Sequence, residues 1–126
     1  METFIRKQPI AAGETDRLRE LLGEMVTEAK ADPDGVMEIW SAETLRTLSL
    51  FIEHGAERDY LVWYIEAESM DRLVEAREAS EHPLHDLEDE LLAETLESTE
   101  SATTFEPVFH GTHPERPGDF AVEGPR

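Results

Sequence analysis

Two apolar arms joined by a short polar loop, residues 46–69 (RTLSLFIEHGAERDYLVWYIEAES), constrain this chain more than any other feature. In the first arm Leu48, Leu50 and Ile52 alternate with Thr47, Ser49, Phe51 and Glu53, a period of two that predicts a strand with one apolar and one mixed face. In the second arm Leu61, Trp63 and Ile65 fall on one face and Tyr60, Val62 and Tyr64 on the other, so both faces are apolar. The Gly-containing segment GAER between them is short enough to make an antiparallel hairpin. A strand covered by helices on one side needs only one apolar face. The second face, Tyr60, Val62 and Tyr64 with Phe51, therefore predicts a further cover: a partner chain, a ligand or both.

The flanking segments supply helices. Residues 3–10 (TFIRKQPI) read as a short strand, and Leu18, Leu21, Leu22, Met25, Val26 and Ala29 then recur with a 3.6-residue period. This predicts a helix with Thr15 as N-cap that ends near KADPDG, where Pro33 and Gly35 break it. VMEIWSAETL, residues 36–45, fits a short helix better than a strand. SMDRLVEAREAS opens with Ser69 as an N-cap, and HPLHDLEDELLAETLES starts with Pro83 in a first-turn position and carries Leu84, Leu87, Leu91, Leu92 and Leu96 along one side. ATTFEPVFHG reads as a last strand at an edge, because Pro107 has no N–H for a ladder, with Phe105 and Phe109 on one face and Val108 on the other. The order strand, helix, strand, strand, helix, helix, strand predicts an α+β, ferredoxin-like β-α-β-β-α-β fold with a four-stranded antiparallel sheet. Residues 1–110 form that domain. Residues 111–126, with three prolines and three glycines, form an acidic, Pro/Gly-rich C-terminal tail without a core of its own.

Length and charge narrow the function. A chain of 126 residues suits one domain. Its 30 acidic against 11 basic residues give a formal net charge of −19, which excludes nucleic acid as an expected partner. The acids are spread over every segment and the only lysines are Lys7 and Lys30. Dispersed negative charge of this kind resembles proteins of salt-in halophilic archaea, whose cytosol screens self-repulsion to within roughly 3 Å at 1 M salt; an acidic protein meeting a basic partner more often gathers its charge in one block. Zero cysteines remove disulfides, thiolate catalysis and sulfur-ligated metal. No apolar run approaches the ~20 residues of a membrane span, and METFIRKQPI lacks the apolar core of a signal peptide. The expectation is a soluble, cytoplasmic protein with no membrane partner.

The stretch TLSLFIEHGAERDYLVWYIEAESMDRLVEA, a hairpin, an acidic turn and a helix entered through AESMDRL, resembles the dimeric α/β-barrel group of ferredoxin-like proteins. That group includes antibiotic-biosynthesis-type monooxygenases that use no cofactor, haem-degrading relatives and an uncharacterised family of small proteins, to which the likeness is greatest. It covers roughly residues 3–110 and implies a homodimer whose sheets pack together, with a cavity between sheet and helices in each protomer. Haem-degrading members use a helical His with a Trp and an Asn. This chain has His85 and Trp63 but no asparagine, which argues against haem, and no cofactor is expected.

Candidate site residues emerge from chemistry. Histidine is the one side chain here that ordinarily titrates near neutrality. His54, beside Glu53 at the end of the first arm, and His110, near Glu106 at the end of the last strand, are candidate general bases, with plain strand-end positions as the alternative. His82 and His85, spaced i, i+3 near Asp86 and Glu88, are the candidate metal ligands; otherwise His82 caps its helix and His85 sits on the polar side. Tyr60, Trp63, Tyr64 and Phe51 are candidate ligand-binding aromatics, or core and dimer interface. Arg6 is the basic candidate, suited to an anionic ligand or to an ion pair with an acid such as Glu66. No phosphate loop, nucleophile elbow or zinc signature is present. Two functions are consistent with this pattern: a homodimer that binds a small organic molecule, with oxygenase or isomerase chemistry at its catalytic extreme, and a non-catalytic assembly module. An unfilled cavity marks the first and a packed interior the second.

Overall fold

A computed structural model describes residues 1–124. The elements run β1 (Glu2–Pro9), α1 (Thr15–Ala31), α2 (Pro33–Ala42), β2 (Leu45–His54), β3 (Asp59–Ala67), α3 (Met70–Ala79), α4 (Pro83–Thr95) and β4 (Thr103–Thr104). The sheet has the order β2-β3-β1-β4 with every pairing antiparallel, the ferredoxin-like α+β arrangement that the order of apolar runs predicts. β2 and β3 are the predicted hairpin. Its loop closes through the Gly55 N–H, which donates to the Arg58 carbonyl at 3.1 Å, and a Cβ at Gly55 would lie 2.3 Å from that same oxygen.

Register assigns each side chain to a face. Trp63 of β3 stands between Arg6 of β1 and Leu50 of β2, and Leu61 between Gln8 and Ile52. These residues, with Phe4, Leu48 and Ile65, face the helices, whereas Ile5, Lys7, Tyr60, Val62, Tyr64, Glu66 and Phe51 face the other way. A bulge at Arg46, between the Leu45 and Thr47 pairings, adds a residue to β2 and lets Leu45 as well as Leu48 point inward.

The helix-facing core forms two clusters. One joins Leu18 and Leu21 of α1, Leu91 and Leu92 of α4, Leu61, Trp63, Ile10 and Leu96. The other joins Leu45, Ile65 and Ala67 at the far end of the sheet, with Phe4, Trp40, Met70 and Leu73 against them. Leu18, Leu61 and Leu91 are fully buried, each contributing about 1.5–3 kcal/mol over an exposed position.

Three local expectations are corrected and the bounds of a fourth are shifted. The N-cap of α1 is Glu14, with no side-chain cap bond; Thr15 is helical and its hydroxyl donates to Asp59 Oδ2 at 2.7 Å, a tie to the hairpin that only the folded chain can offer. The helix expected over residues 36–45 forms, but it starts earlier, at Pro33, capped by Asp32, whose carboxylate accepts from the Gly35 N–H at 3.0 Å. The last strand is two residues long: after the Phe105 N–H bonds to the Ile5 carbonyl at 3.2 Å, Glu106 and Pro107 leave the ladder, and Val108 and Phe109 stand 86% and 90% exposed on no sheet face. His85, expected on the polar side of its helix, is 6% exposed. Ser69 caps α3 as predicted, accepting from the Arg72 N–H at 3.2 Å. No helix among the described residues is long and apolar enough to cross a membrane.

Candidate functional site

Leu48 packs against both apolar clusters, and beside them the sheet and helices do not close fully on each other. They leave a wide, partly open cleft of about 2070 Å³: Arg6 lines its floor above the buried Trp63 and Gln8, and Glu88 lines its helical wall beside the buried His85 and Glu43. Its size exceeds the roughly 300–1,000 Å³ of a closed small-molecule pocket because it continues around the β2 edge, where the C-terminal segment lines it. Phe120 of that segment packs on Trp40 of α2, ring centroids 5.8 Å apart.

On the floor, Gln8 is 1% exposed and fully engaged: its Nε2 donates to the Thr99 carbonyl and its Oε1 accepts from Trp63 Nε1, both at 2.8 Å. This fixes the indole plane. The Arg6 guanidinium lies 5.1 Å above the Trp63 ring, within cation–π range. Arg6 Nε is buried without a hydrogen-bond partner, and no carboxylate lies within ion-pair distance of Arg6 among the described residues. Burial pulls its guanidinium below the ordinary arginine value, while the Glu88 carboxyl opposes that and favours the charge.

The helical wall is charged. His85 is held at both ring nitrogens, Nδ1 2.5 Å from Ser80 Oγ and Nε2 3.4 Å from Glu43 Oε1. Glu43 is brought inside by an unusual turn: Thr44, directly after it, adopts φ 57 and is clamped by two bonds to Ser69, Oγ1 donating to its carbonyl at 3.2 Å and accepting from its N–H at 3.0 Å. Arg77 of α3 reaches Asp89 at 2.7 Å and Glu88 at 3.5 Å. Burial pushes the Glu88 carboxyl above the usual carboxylate range, with Arg77 and His85 opposing and Glu43 adding to the shift. A largely buried carboxyl with a raised affinity for its proton, lining the same cleft as Arg6 and acting on its charge, can exchange protons with a ligand that the arginine holds.

The candidate residues separate into two places. Arg6 and Trp63 line the cleft, Phe51 lies where it passes the β2 edge, and Tyr60 and Tyr64 belong to the opposite sheet face. Arg6 also faces away from Glu66, so that pairing does not form. His54 sits at the cleft rim, its side chain two-thirds exposed and its Nδ1 3.5 Å from Asp59 Oδ2. His110 lies on the other face with Nε2 3.6 Å from Glu66 Oε2, not against Glu106, so the two histidines share no site. His82 caps α4, its Nδ1 accepting from the Leu84 N–H at 3.1 Å. Among the described residues no three His, Asp or Glu side chains converge in a metal-binding group. Gln8, Glu43 and Arg77 were not singled out by the sequence, and Glu88 was named there only as a carboxylate near the candidate metal ligands His82 and His85. For Glu88 a signal existed, since His85, Glu88, Leu92 and Thr95 form a second helical stripe beside Leu84, Leu87 and Leu91.

On the opposite face Glu66 gathers the C-terminal segment. Its side chain is 3% exposed, and Arg116 Nη1 lies 3.2 Å from Oε1. Burial pushes this carboxyl up, but Thr47, Arg116 and His110 outweigh it and hold it below the usual range.

No curated protein matches this chain in sequence. Among solved structures, the tetracenomycin F2 cyclase of Streptomyces glaucescens, a type-II polyketide cyclase, is similar with a TM-score of 0.53 at 18% identity over 90% of this chain and 100% of that one. An antibiotic biosynthesis monooxygenase gives 0.53 at 18% over 86% and 99%. A dimeric protein of unknown function and ferredoxin-like fold from Bacteroides fragilis gives 0.51 at 19% over 85% and 94%. At these identities the likeness is one of fold. A sequence profile reaches further: that of a family of unknown function, DUF6176, matches residues 1–116, nearly the whole chain, and the protein belongs to that family.

Proposed function

We propose that this protein is a homodimer that binds a small organic molecule in the cleft between sheet and helices, with cofactor-independent oxygenase or isomerase chemistry as its catalytic form. One observation carries the reading: a wide, mostly apolar cleft with a few charged and polar groups lies between sheet and helices, where an association module would pack side chains. The monooxygenase and the polyketide cyclase among the structural neighbours support a small-molecule ligand, and the neighbour described as dimeric supports the dimer. In the cleft Glu88 is the candidate proton-exchanging group and His85 its neighbour. His54 at the rim is a secondary candidate, and Trp63 and Arg6 are the candidate ligand contacts. The exposed Val108 and Phe109 favour the alternative, a non-catalytic assembly module.

Native mass spectrometry of gently purified protein separates the two readings. A dimer carrying stoichiometric extra mass is expected. A dimer with none, and no mass gained on incubation with host small-molecule extract, would transfer the weight to assembly.

A further inference from the structure

The unmatched charge of Arg6 says what the cleft takes. In a chain so rich in carboxylates, arginines readily find partners: Arg46, Arg58, Arg77 and Arg116 each pair with at least one. Arg6 is placed on the cleft floor, partly withdrawn from water, with no acid within ion-pair distance among the described residues; Glu88 favours its charge only from farther off. A partly desolvated charge without a contacting counter-charge is costly. The Trp63 ring beneath it answers the cation on one face but accepts none of its five N–H donors. The Trp63 ring is itself immobilised by Gln8, so the floor is built and does not collapse around the arginine. A guanidinium fork matches a planar pair of oxygens. Beside it, Leu50, Ile52, Leu22 and Met25 line the same cleft and offer an apolar body a place to lie.

We propose that the cleft is an oxyanion site, which takes a small organic anion by its planar carboxylate or enolate on Arg6 and lays the apolar remainder against Trp63 and the aliphatic wall. This rests on the small-molecule reading and names the ligand's class.

The test is equilibrium binding of 2-naphthoate and of its neutral counterpart 2-naphthalenemethanol to the full chain, followed by quenching of Trp63 fluorescence in a Trp40→Phe background. We expect naphthoate to bind at least about tenfold more tightly, and Arg6→Met to bring the two compounds' affinities together. Arg6→Lys, which keeps the charge but not the fork, should retain only part of it. Equal affinity for the two compounds in the parent protein, which needs no variant to fold, overturns the oxyanion inference and leaves a ligand site of other chemistry. A preference that survives in Arg6→Met overturns it too. Quenching by neither compound up to about 10 mM also overturns it; the wider small-molecule reading is then judged separately by the native mass.

Discussion

At the level of single residues, Glu88 separates a polar cleft from a merely acidic surface. It is held on α4 facing Arg6, Arg77, His85 and Glu43, and burial makes the folded protein grip its proton more tightly than the unfolded chain does. Where the folded state binds the extra proton, stability falls as pH rises, from the usual carboxylate range up through the raised value. Glu88→Gln removes this titration and keeps the shape, so its urea midpoint should stay flatter with pH than the parent's and exceed it at neutral pH. Parallel pH profiles for the two proteins would show that Glu88 is ordinarily solvated. Glu66 has the opposite sign, contributing stability that is lost as acid protonates it. Neither behaviour was legible in the sequence, where one Glu looks like another on helix α4 or strand β3. Their burial depends on partners far along the chain, Arg116 at 50 positions from Glu66 and, through His85, Glu43 for the α4 wall. The burial of His85 was hidden for the same reason: the leucine stripe on α4 pointed one way, and only the distant Glu43 and nearby Ser80 explain why a neighbouring stripe is also covered.

At the level of elements, the hairpin was legible to the residue because alternation fixes register, and a slip of one would have turned Leu61, Trp63 and Ile65 outward. The same period that worked for β2 and β3 failed for β4. Its apolar residues are separated by Pro107, and with a single neighbouring strand the ladder stops after Thr104. Beyond β4 the chain is held by a few contacts instead: Arg116 and His110 on Glu66, and Phe120 on Trp40. A segment secured this way opens locally, at a rate set by its anchors. Arg116→Ala should raise chymotryptic cleavage at Phe105, Phe109 and Phe120 roughly fivefold, the factor that about 1 kcal/mol of lost anchoring makes, with helix content unchanged. Cleavage no faster than in the parent, measured by mass, would mean that the Glu66 pair does not hold the segment.

The whole molecule brings together an outer sheet face and a large net charge. Tyr60, Val62 and Tyr64 are half-buried and Phe51 is 58% exposed on the side away from the helices, an apolar surface that a second copy would cover in the proposed dimer. Val62→Glu places an unpaired charge at its centre and should shift the mass in solution from dimer to monomer; a mutant that stays dimeric puts the interface elsewhere. Such a dimer doubles a problem that the monomer already has. A formal charge of −19 on 126 residues is self-repelling, and the ion pairs to exposed carboxylates, such as Lys7–Glu53 and Arg46–Glu68, are each worth little in water. Salt-bridge screening by KCl costs those pairs little while relieving repulsion everywhere, because the Debye length contracts from about 10 Å at 0.1 M to about 3 Å at 1 M. If the charge is an adaptation to a salt-rich cytosol, the thermal midpoint should climb by roughly 5–10 °C as KCl rises into the molar range, about the shift that 2 kcal/mol makes in a domain of this size. The rise should be steepest below about 1 M, where screening changes most, which separates it from the general strengthening of apolar burial at higher salt. A midpoint indifferent to KCl would detach the charge from any salt-rich setting and leave solubility as its physical consequence.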